Sequence, residues 1–314
     1  MTRTTDAPGI LGKNELATLD ALATEAARPD LGNLDCLSTS EIVRILVEGQ
    51  ASALAAAQAV VPQLAAAADV VAAQLEKGGR LFYVGAGTSG RLAVLDAAEC
   101  PPTFGSSPDT VVALMAGGET ANTHAIEGAE DDAGAGADAL RSQGLTAADV
   151  VVGIAASGRT AYVVGALRYA RDIGAPTIAI VNNAGSPVAG VAEQAIELLT
   201  GPEVIAGSTR LSAGTAQKIA LSTLSTAVMV RLGKTYGPYM IDMRASNLKL
   251  RRRALRMIQL ITNADEDTAV RTLNDADGSL KTAVVALLAN CSVPEAKRRL
   301  DLAGGRVRRA VAAP

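Results

Sequence analysis

The sequence predicts an α/β protein in which a five-stranded parallel sheet is covered by helices on both faces and is followed by a small all-α unit. Short apolar segments alternate with helical patterns between residues 80 and 232. Those segments are almost continuously apolar, which is typical of parallel strands that are buried on both faces. Beyond residue 236 no strand-like segment occurs, and helical patterns continue to the C-terminus.

The amino-acid composition indicates a globular protein and argues against nucleic-acid binding. A length of 314 residues favours about two domains, and 49% hydrophobic with 19% charged residues is an ordinary globular composition. The net charge of −3 excludes a strongly basic protein that neutralises nucleic-acid phosphates. With 2% aromatic residues and no Trp, base-stacking platforms are not expected either. We therefore expect no nucleic-acid partner.

The scarcity of metal-ligating residues restricts the chemistry. His124 is the only histidine, and Cys36, Cys100 and Cys291 are far apart and lack metal or redox spacing. The first residues have no apolar signal core, and no run of 18 apolar residues occurs. We expect no metal, no cofactor and no membrane, and a reducing cytoplasm as the location.

The first third of the chain is predicted to be an arm followed by helices. Residues 1–36 are mixed and polar. Ser38 and Glu41 have the spacing of a capping box, which predicts a helix through about Glu48. Residues 51–76 are rich in alanine with larger apolar residues at helical spacing, which indicates one or two packing helices.

Strands and helices then alternate. We expect Cys100-Pro-Pro102 to end the first helix, because proline lacks the amide hydrogen and clashes with the preceding turn. The predicted strands are 80–84, 111–115, 150–154, 176–182 and 195–200. The predicted helices are 91–99, 120–132, a helix after 160 to about 172, a short helix with Val188 and Val191, and one from 207–210 to about 232.

The remaining chain is predicted to be helical. Residues 247–261 form a basic amphipathic pattern, most simply a solvated helix face, and helices are expected at about 265–274, 278–290 and 293–303. Gly304 and Gly305 lead into a last basic turn. The predicted organisation is an arm (1–36), a sheet domain with flanking helices (37–262) and a helical bundle (263–314).

Three loops share one design, in which an apolar strand is followed by Gly, Ser and Thr and then by a helix. Free amides at a helix start, the helix dipole and short hydroxyls together bind anions, and glycine lets the backbone approach. Such loops lie at the carboxyl ends of strands, where ligands bind. The hydroxyls could instead be simple helix caps. Three loops in one sheet favour a phosphate ligand, and its candidate residues are Thr88, Ser89, Ser157, Ser208 and Thr209.

The first loop is also a G-x-G-x-x-G, from Gly85 to Gly90. A dinucleotide site needs an acidic residue at the end of the second strand. Asp109 precedes that strand and Glu119 lies too far along, so a nicotinamide cofactor is not favoured. The chain contains no G-x-x-x-x-G-K-[ST] motif, so a P-loop is not supported.

Four carboxylates are candidates for acid–base chemistry: Glu99, Glu119, Glu127 and Glu130. Glu99 follows an apolar turn, where partial desolvation would raise its pKa towards that of a general acid; the alternative is a helix-end residue paired with a base. Glu127 and Glu130 are three apart and would share one face of the predicted helix, although an acidic segment is usually solvated.

Other polar residues could touch a substrate. His124 could bind a hydroxyl, but a lone histidine more often makes local hydrogen bonds. Lys218 lies two turns into the last helix of the sheet domain and could equally be a surface lysine. The candidate substrate contacts are Gly87, Glu119, His124, Gly158 and Lys218.

Five motifs make the chain similar to a known family. They are GAGTSGRL from Gly85, LDAAECPPT at 95–103, EGAED at 127–131, GIAASGRT at 153–160 and SAGTAQK at 212–218. These closely resemble the N-acetylmuramic acid 6-phosphate etherases, and the match runs from about Leu37 to the C-terminal helices. The resemblance implies a flavodoxin-like sugar-isomerase (SIS) domain, a UBA-like C-terminal bundle and a homodimer.

The resemblance also implies an activity and a catalytic pair. The family cleaves the D-lactyl ether of N-acetylmuramic acid 6-phosphate to N-acetylglucosamine 6-phosphate and D-lactate, in cytoplasmic recycling of cell-wall amino sugars. By motif, its two catalytic glutamates correspond to Glu99 and Glu130. The chemistry is C2 deprotonation, syn elimination of lactate and hydration. We assign Glu130 as the C2 base and Glu99 as the acid that protonates lactate.

Two alternatives use the same fold. An aldose–ketose isomerase also removes a C2 proton but needs no acid for a leaving group. A sugar-phosphate-binding regulator of a kinase binds without turnover, but such a protein has a duplicated SIS domain, whereas this chain has one sheet pattern.

Overall fold

The computed structural model describes residues 22–243 and 248–312, so the first 21 residues of the predicted arm lie outside it. Its main sheet has the strand order β2-β1-β3-β4-β5 with all neighbours parallel, which is the flavodoxin-like order. This confirms the predicted α/β class. The strands are β1 Leu81–Gly85, β2 Val111–Met115, β3 Val150–Ala155, β4 Thr177–Val181 and β5 Gln194–Glu197.

Helices precede, connect and follow these strands. Ser38 caps the first one in a capping box with Glu41, as predicted. The helices up to the end of the sheet region are α1 Thr39–Gly49, α2 Ala51–Ala59, α3 Val61–Glu76, α4 Gly87–Phe104, α5 Ala133–Ser142, α6 Ala161–Ile173, α7 Pro187–Val191 and α8 Ser212–Arg231. The following elements are β6 Thr235–Tyr236, β7 Tyr239–Met240, α9 Leu248–Thr262, α10 Glu266–Asp275, α11 Leu280–Leu288, α12 Val293–Leu302 and α13 Val307–Ala312.

The alternation of side chains along β1 divides the core of the sheet region into two layers. Leu81 and Tyr83 point to one face, where they pack with α2, α3, α4 and α8. Phe82 and Val84 point to the other face, where α5, α6 and α7 cover them. All four side chains are fully buried. The near-continuous apolar strands therefore reflect a sheet that is covered on both sides.

Helix α4 runs through Pro101 and Pro102, so the prediction that these prolines end it near Glu99 was wrong. Both prolines lie in the last turn, so their missing amide hydrogens leave only the carbonyls of Ala97 and Ala98 without a helical donor. Burial of Cys100 and Phe104 in the core holds that turn. The helix ends at Gly105, whose left-handed backbone (φ 62°) allows its amide to donate to the carbonyl of Pro101.

The segment after β2 is not the helix that was predicted at 120–132. A single 3-10 turn, Glu119–Asn122, is followed by turns, and the helix begins only at Ala133. Gly128 has a positive φ of 73°, which a helix does not accommodate. The Asp132 carboxylate caps α5 by accepting from the amide of Ala135. Glu127 and Glu130 therefore do not share a helical face.

The C-terminal helices are at the predicted places, within a few residues, and have a core of their own. Ala254, Ile258, Leu273, Leu280 and Val284 are buried in that core. Residue 247, the predicted start of the basic helix, lies outside the described residues. The fifth strand is shorter than predicted and ends at Glu197. The domain boundaries at residues 36 and 262 stay a prediction.

Within the described residues, no single helix has the length and apolar character to cross a membrane. Two consecutive helical segments, Thr39–Ala59 and Val61–Glu76, are together long and apolar enough for a membrane span, but a bend of 60° separates them.

Helices α5 and α6 touch backbone to backbone, which predicts a large stability effect at Gly165. A Cβ atom there would lie 1.9 Å from the carbonyl oxygen of Ala133, so the two helices would have to separate. We expect Gly165→Ala to lower the free energy of unfolding by about 3 kcal/mol. Urea denaturation followed by circular dichroism measures this.

The matched control is Gly190→Ala in the short helix α7, where an added Cβ meets nothing within 4 Å. That change should lie within about 1 kcal/mol of wild type. Equal stabilities of the two variants would contradict the close contact between α5 and α6.

Candidate active site

The loop after β1 is held tightly against the start of α4. The amide of Gly90 donates to the carbonyl of Ala86 at 3.0 Å. A Cβ on Gly90 would lie 2.9 Å from the carbonyl oxygen of Gly85, so this position requires glycine. Ser89, in the first turn of α4, is buried, Thr88 is half-buried and Gly87 is exposed. The loop thus presents helix amides and two hydroxyls at the carboxyl edge of the sheet.

The loop after β3 has a fixed shape as well. Gly158 has a φ of 69°, and a Cβ there would lie 2.2 Å from the Ser186 hydroxyl. The amide of Val188 donates to the Gly158 carbonyl, and the Ser157 hydroxyl accepts from the amide of Arg159 at 3.2 Å. Because β1 and β3 are neighbours, this loop lies beside the first one, where a flavodoxin-like sheet binds its ligands.

The third loop approaches the first, but it does not open the helix. Helix α8 begins at Ser212, and the buried carboxylate of Glu203 accepts from the amides of Ser212 and Ala213, both at 2.9 Å. These amides are therefore satisfied by the protein itself. Ser208 and Thr209 lie before the helix start and are half-buried. Sequence reasoning missed Glu203, because an acid after Pro202 resembles an ordinary loop residue.

A direct contact shows that the first and third loops are adjacent. The methyl carbon of Thr88 lies 3.4 Å from the position that a Cβ on Gly214 would occupy. The amide of Gly214 in turn donates to the carbonyl of Thr209 at 2.9 Å. The first loop therefore packs against the first turn of α8, which is hydrogen-bonded to Thr209 of the third loop.

The segment 119–132 lies beside the start of α4. The Arg91 guanidinium donates to the carbonyls of Asn122 and His124, at 3.2 and 3.3 Å. The His124 ring is exposed, and its Nδ1 lies 2.9 Å from the Thr123 hydroxyl. Glu119 is exposed at the start of the 3-10 turn. Both residues are accessible at the edge that carries the phosphate-loop candidates.

Glu130 is positioned by the start of α6. Its backbone carbonyl accepts from the amide of Tyr162 at 3.0 Å, and its side chain is exposed. Helix α6 follows β3 directly, so Glu130 lies at the same carboxyl edge as Ser157. The structure therefore groups Glu130 with the loops after β1 and β3.

Glu99 lies elsewhere on the chain. It is about 15 Å along the axis of α4 from Ser89, at about 1.5 Å per residue, which is longer than a hexose 6-phosphate. Its side chain is exposed, in contrast to the desolvated environment that the apolar turn suggested. With Asp96, Lys218 and Ser222 it lines a cavity of about 220 Å³ between α4 and α8. Lys218 donates to the Ser222 hydroxyl at 3.3 Å.

A half-buried carboxylate lies one turn before Glu99. Asp96 accepts hydrogen bonds from the hydroxyls of Tyr83 at 3.0 Å and Ser225 at 3.1 Å. Burial raises the pKa of Asp96, and the two hydroxyls and the charge of Lys218 oppose that rise. Sequence reasoning missed Asp96, although an acid inside the apolar stretch Ala93–Ala98 is a signal.

The groups around Asp96 stay protonated at neutral pH. Burial, with Asp96 nearby, raises the pKa of Tyr83 well above its usual value. Burial also raises the pKa of Cys100 to about 12, and its thiol donates to the Asp96 carbonyl. Cys100 is therefore an unreactive thiol here.

In residues 22–243 and 248–312, no three His, Cys, Asp or Glu side chains are close enough together to hold a metal ion. The groups at the carboxyl edge are hydroxyls, backbone amides, the carboxylates of Glu119 and Glu130 and the His124 imidazole. Such a set binds an anionic ligand and moves a proton.

Comparisons with known proteins agree with this architecture. Residues 63–171 match the glucokinase regulatory protein N-terminal SIS domain family, and residues 133–227 match the SIS domain family. The N-acetylmuramic acid 6-phosphate etherase of Streptomyces avermitilis is 50% identical over 95% of this chain and 96% of its own. That of Mycolicibacterium smegmatis is 50% identical over 94% of this chain and 99% of its own. This chain belongs to the N-acetylmuramic acid 6-phosphate etherase family.

Proposed function

We propose that this enzyme cleaves the D-lactyl ether of N-acetylmuramic acid 6-phosphate, giving N-acetylglucosamine 6-phosphate and D-lactate. The proposal rests on a sequence identity of 50–51% to N-acetylmuramic acid 6-phosphate etherases over nearly the whole chain. The loops at the carboxyl edge supply an anion site for the 6-phosphate, and Glu130 lies at that edge. The ligand is a small amino-sugar phosphate, and the residues named account for the chemistry without a cofactor.

The first step is removal of the C2 proton. An ether is a poor leaving group, but opening the sugar ring to its aldehyde acidifies C2–H. The Glu130 carboxylate takes this proton, and donors near the aldehyde oxygen stabilise the enolate. Glu130 is exposed at the carboxyl edge, where such a substrate would reach it.

The second and third steps exchange lactate for water at C3. The C3–O bond breaks by syn elimination, and Glu99 donates its proton to the departing lactate oxygen. Glu99, now ionised, takes a proton from the water that adds to C3 of the unsaturated aldehyde. Glu130 returns a proton to C2. One acid and one base complete the cycle.

The position of Glu99 leads us to infer a homodimer with shared active sites. Glu99 lies too far along α4 from Ser89 to meet the same sugar phosphate in one protomer. If two copies of α4 pack antiparallel about a two-fold axis near Leu95, Glu99 of one protomer lies opposite Ser89 of the other. Leu95 lies near the midpoint between these residues and is 49% exposed, so its apolar side chain is available for such a contact.

The proposed phosphate site predicts that loop hydroxyls contribute to substrate binding. Replacing Ser89 or Ser157 by Ala removes a hydroxyl from the anion site. Loss of a charge-assisted hydrogen bond should raise KM for the 6-phosphate sugar about tenfold or more, with a smaller change in kcat. Steady-state kinetics measures both. Ser142→Ala, an exposed serine of α5, is the control, and normal KM in both loop variants would place the phosphate elsewhere.

The activity itself is tested with N-acetylmuramic acid 6-phosphate in ¹⁸O-labelled, deuterated water. We expect unlabelled D-lactate, ¹⁸O at C3 of the sugar and deuterium at C2. Label in the lactate would mean attack on the lactyl carbon, and the two-glutamate mechanism would fall.

A second candidate function is binding without turnover, which the match to the glucokinase regulatory protein N-terminal SIS domain favours. The same incubation separates the candidates: a regulator binds the sugar phosphate and releases no lactate, and an isomerase gives a ketose phosphate. We further propose a cytoplasmic location, where such a phosphorylated sugar would be found.

A further inference from the structure

A large cleft lies away from the loops of the candidate active site. It has a volume of about 1210 Å³ and separates the sheet region from the C-terminal helices. The loop after α4, the ends of α3 and α8, and helices α12 and α13 contribute to its walls. Helix α4 starts at the carboxyl edge of the sheet and ends beside this cleft, so the cleft lies at the opposite, amino edge.

The cleft carries a surplus of positive charge. Two acids line it, Glu76 and Asp242, and a third, Glu295, pairs with two of its arginines. The basic side chains that line it are Lys234, Lys281, Arg298, Arg299, Arg306 and Arg309. Six positive charges therefore face three negative ones, and the excess faces a concave, partly dehydrated space.

The innermost charges are unbalanced. Lys234 and Lys281 both donate to the same oxygen of Asp242, each at 2.8 Å, so two ammonium groups share one carboxylate. The Lys281 side chain is only 12% exposed. Burial lowers the pKa of Lys281, the bond to Asp242 opposes this, and the charge of Lys234 adds to it. A desolvated ammonium group that shares its carboxylate partner with a second ammonium group is stabilised when a further anion binds.

Hydrogen-bond donors remain for such an anion. Ser106 lines the cleft, and its buried hydroxyl has no hydrogen-bond partner among the described residues. Ser107 and Thr110 lie on the same loop. Arg309 is exposed on the opposite wall and forms no ion pair in the part of the chain that the structure describes. None of the described residues that line the cleft is aromatic, so nothing there would stack on a nucleobase.

We propose that this cleft is a second ligand site that binds a sugar phosphate through its phosphate group, with Lys281, Arg309 and the Ser106 hydroxyl as its donors. A phosphate monoester brings two negative charges and three acceptor oxygens, which suit a mixed set of ammonium, guanidinium and hydroxyl donors. Ser107 and Thr110 on the same wall provide hydroxyl groups for the sugar. Because the walls come from both parts of the chain, the bound ligand ties the C-terminal helices to the sheet region.

Calorimetric titration with D-glucose 6-phosphate at constant ionic strength tests the site. The full-length Ser89→Ala/Ser157→Ala protein is the background, since it lacks two hydroxyls of the proposed active-site phosphate loops. We expect it to retain one saturable site per chain. Adding Lys281→Met or, separately, Arg309→Gln should weaken that binding about tenfold or more. Arg309 is exposed, so its variant should fold even if the Lys281 variant does not.

Arg253→Gln, an exposed charge change on α9 outside the cleft, is the matched control and should leave the affinity unchanged. Loss of all binding in the double serine background would overturn the proposal, as would equal affinities of the Arg309→Gln and Arg253→Gln proteins. Inorganic phosphate is titrated in parallel. Weaker binding of the free anion supports a sugar ester as the ligand, and equal binding would overturn that part of the assignment.

Discussion

Glu130→Gln is expected to abolish both C2–H exchange in deuterated water and lactate release. An amide cannot take the C2 proton, and no enolate forms without that step. General acid–base catalysis contributes typically about 10²–10⁴-fold per group, so turnover should fall by at least that factor. Deuterium incorporation is measured by NMR and lactate by a coupled assay. Glu130 is exposed, so the substitution should leave the fold intact.

Glu99→Gln should lower lactate release and leave C2–H exchange in place. The base is still present, so C2–H exchange should continue, while lactate release should fall by about 10²–10⁴-fold for lack of an acid. This split is more informative than a simple loss of activity, because a merely structural role for Glu99 would lower both rates together.

Glu127→Gln is the matched control for both variants. Glu127 lies in the same acidic segment as Glu130 and is exposed, as Glu99 and Glu130 are. The substitution changes the charge identically, and the variant should retain near-normal turnover. Exchange that is lost with Glu99→Gln and kept with Glu130→Gln would reverse the two roles. Near-normal turnover of either variant would remove that residue from the mechanism.

The sheet was predictable because its signal is local. Strands β1 to β4 are short apolar runs with Gly, Ser or Pro close to one end, and buried parallel strands need little else to be identified. Strand β5, Gln194–Glu197, carries a weaker signal because it is partly polar. Gly85, Gly90 and Gly158 likewise indicated the positions of the loops. In the structure, an added Cβ at Gly90 or Gly158 would collide with neighbouring atoms, which explains why glycine occupies these positions.

The helix boundaries were less predictable where tertiary contacts oppose local propensity. Pro101 and Pro102 argue for a helix end, but burial of Cys100 and Phe104 carries α4 one turn further. At 120–132 the residue types allow a helix, but Gly128 is left-handed and the segment bends to meet Tyr162. Neither outcome is encoded within the segment itself.

The candidate site was predictable by residue type but not by arrangement. The motifs indicate that Glu99 and Glu130 form one catalytic pair. In the structure, Glu99 lies in the last third of α4, whereas Glu130 lies beside the start of α6. No pattern along one chain indicates whether one protomer or two supply the site that we propose. Glu203 and Asp96 were missed for a similar reason, because their partners are distant in sequence or lie on other elements.

Mixing the two inactive glutamate variants tests whether the site is shared. We expect dimers formed from equal amounts of Glu99→Gln and Glu130→Gln protein to recover about a quarter of wild-type activity. Random pairing makes about half of the dimers mixed, and each mixed dimer combines Glu99 of one protomer with Glu130 of the other in one of its two sites. The subunits are paired by co-expression with two affinity tags. Lactate release is assayed on the whole mixture, and the mixed dimer purified through both tags should show about half of wild-type activity.

The recovery depends only on which chain each glutamate comes from. If both glutamates of a site came from one protomer, every site in every mixed dimer would carry one substitution and activity would stay at the level of the parents. Mixing Glu99→Gln with a Glu99→Gln/Glu130→Gln double variant controls for recovery caused by the exchange procedure, because no pairing of those chains contains an intact Glu99. Recovery in the first mixture and none in the second would assign Glu99 to the partner's site, and it would explain why a catalytic acid is exposed on α4 beside the exposed Leu95.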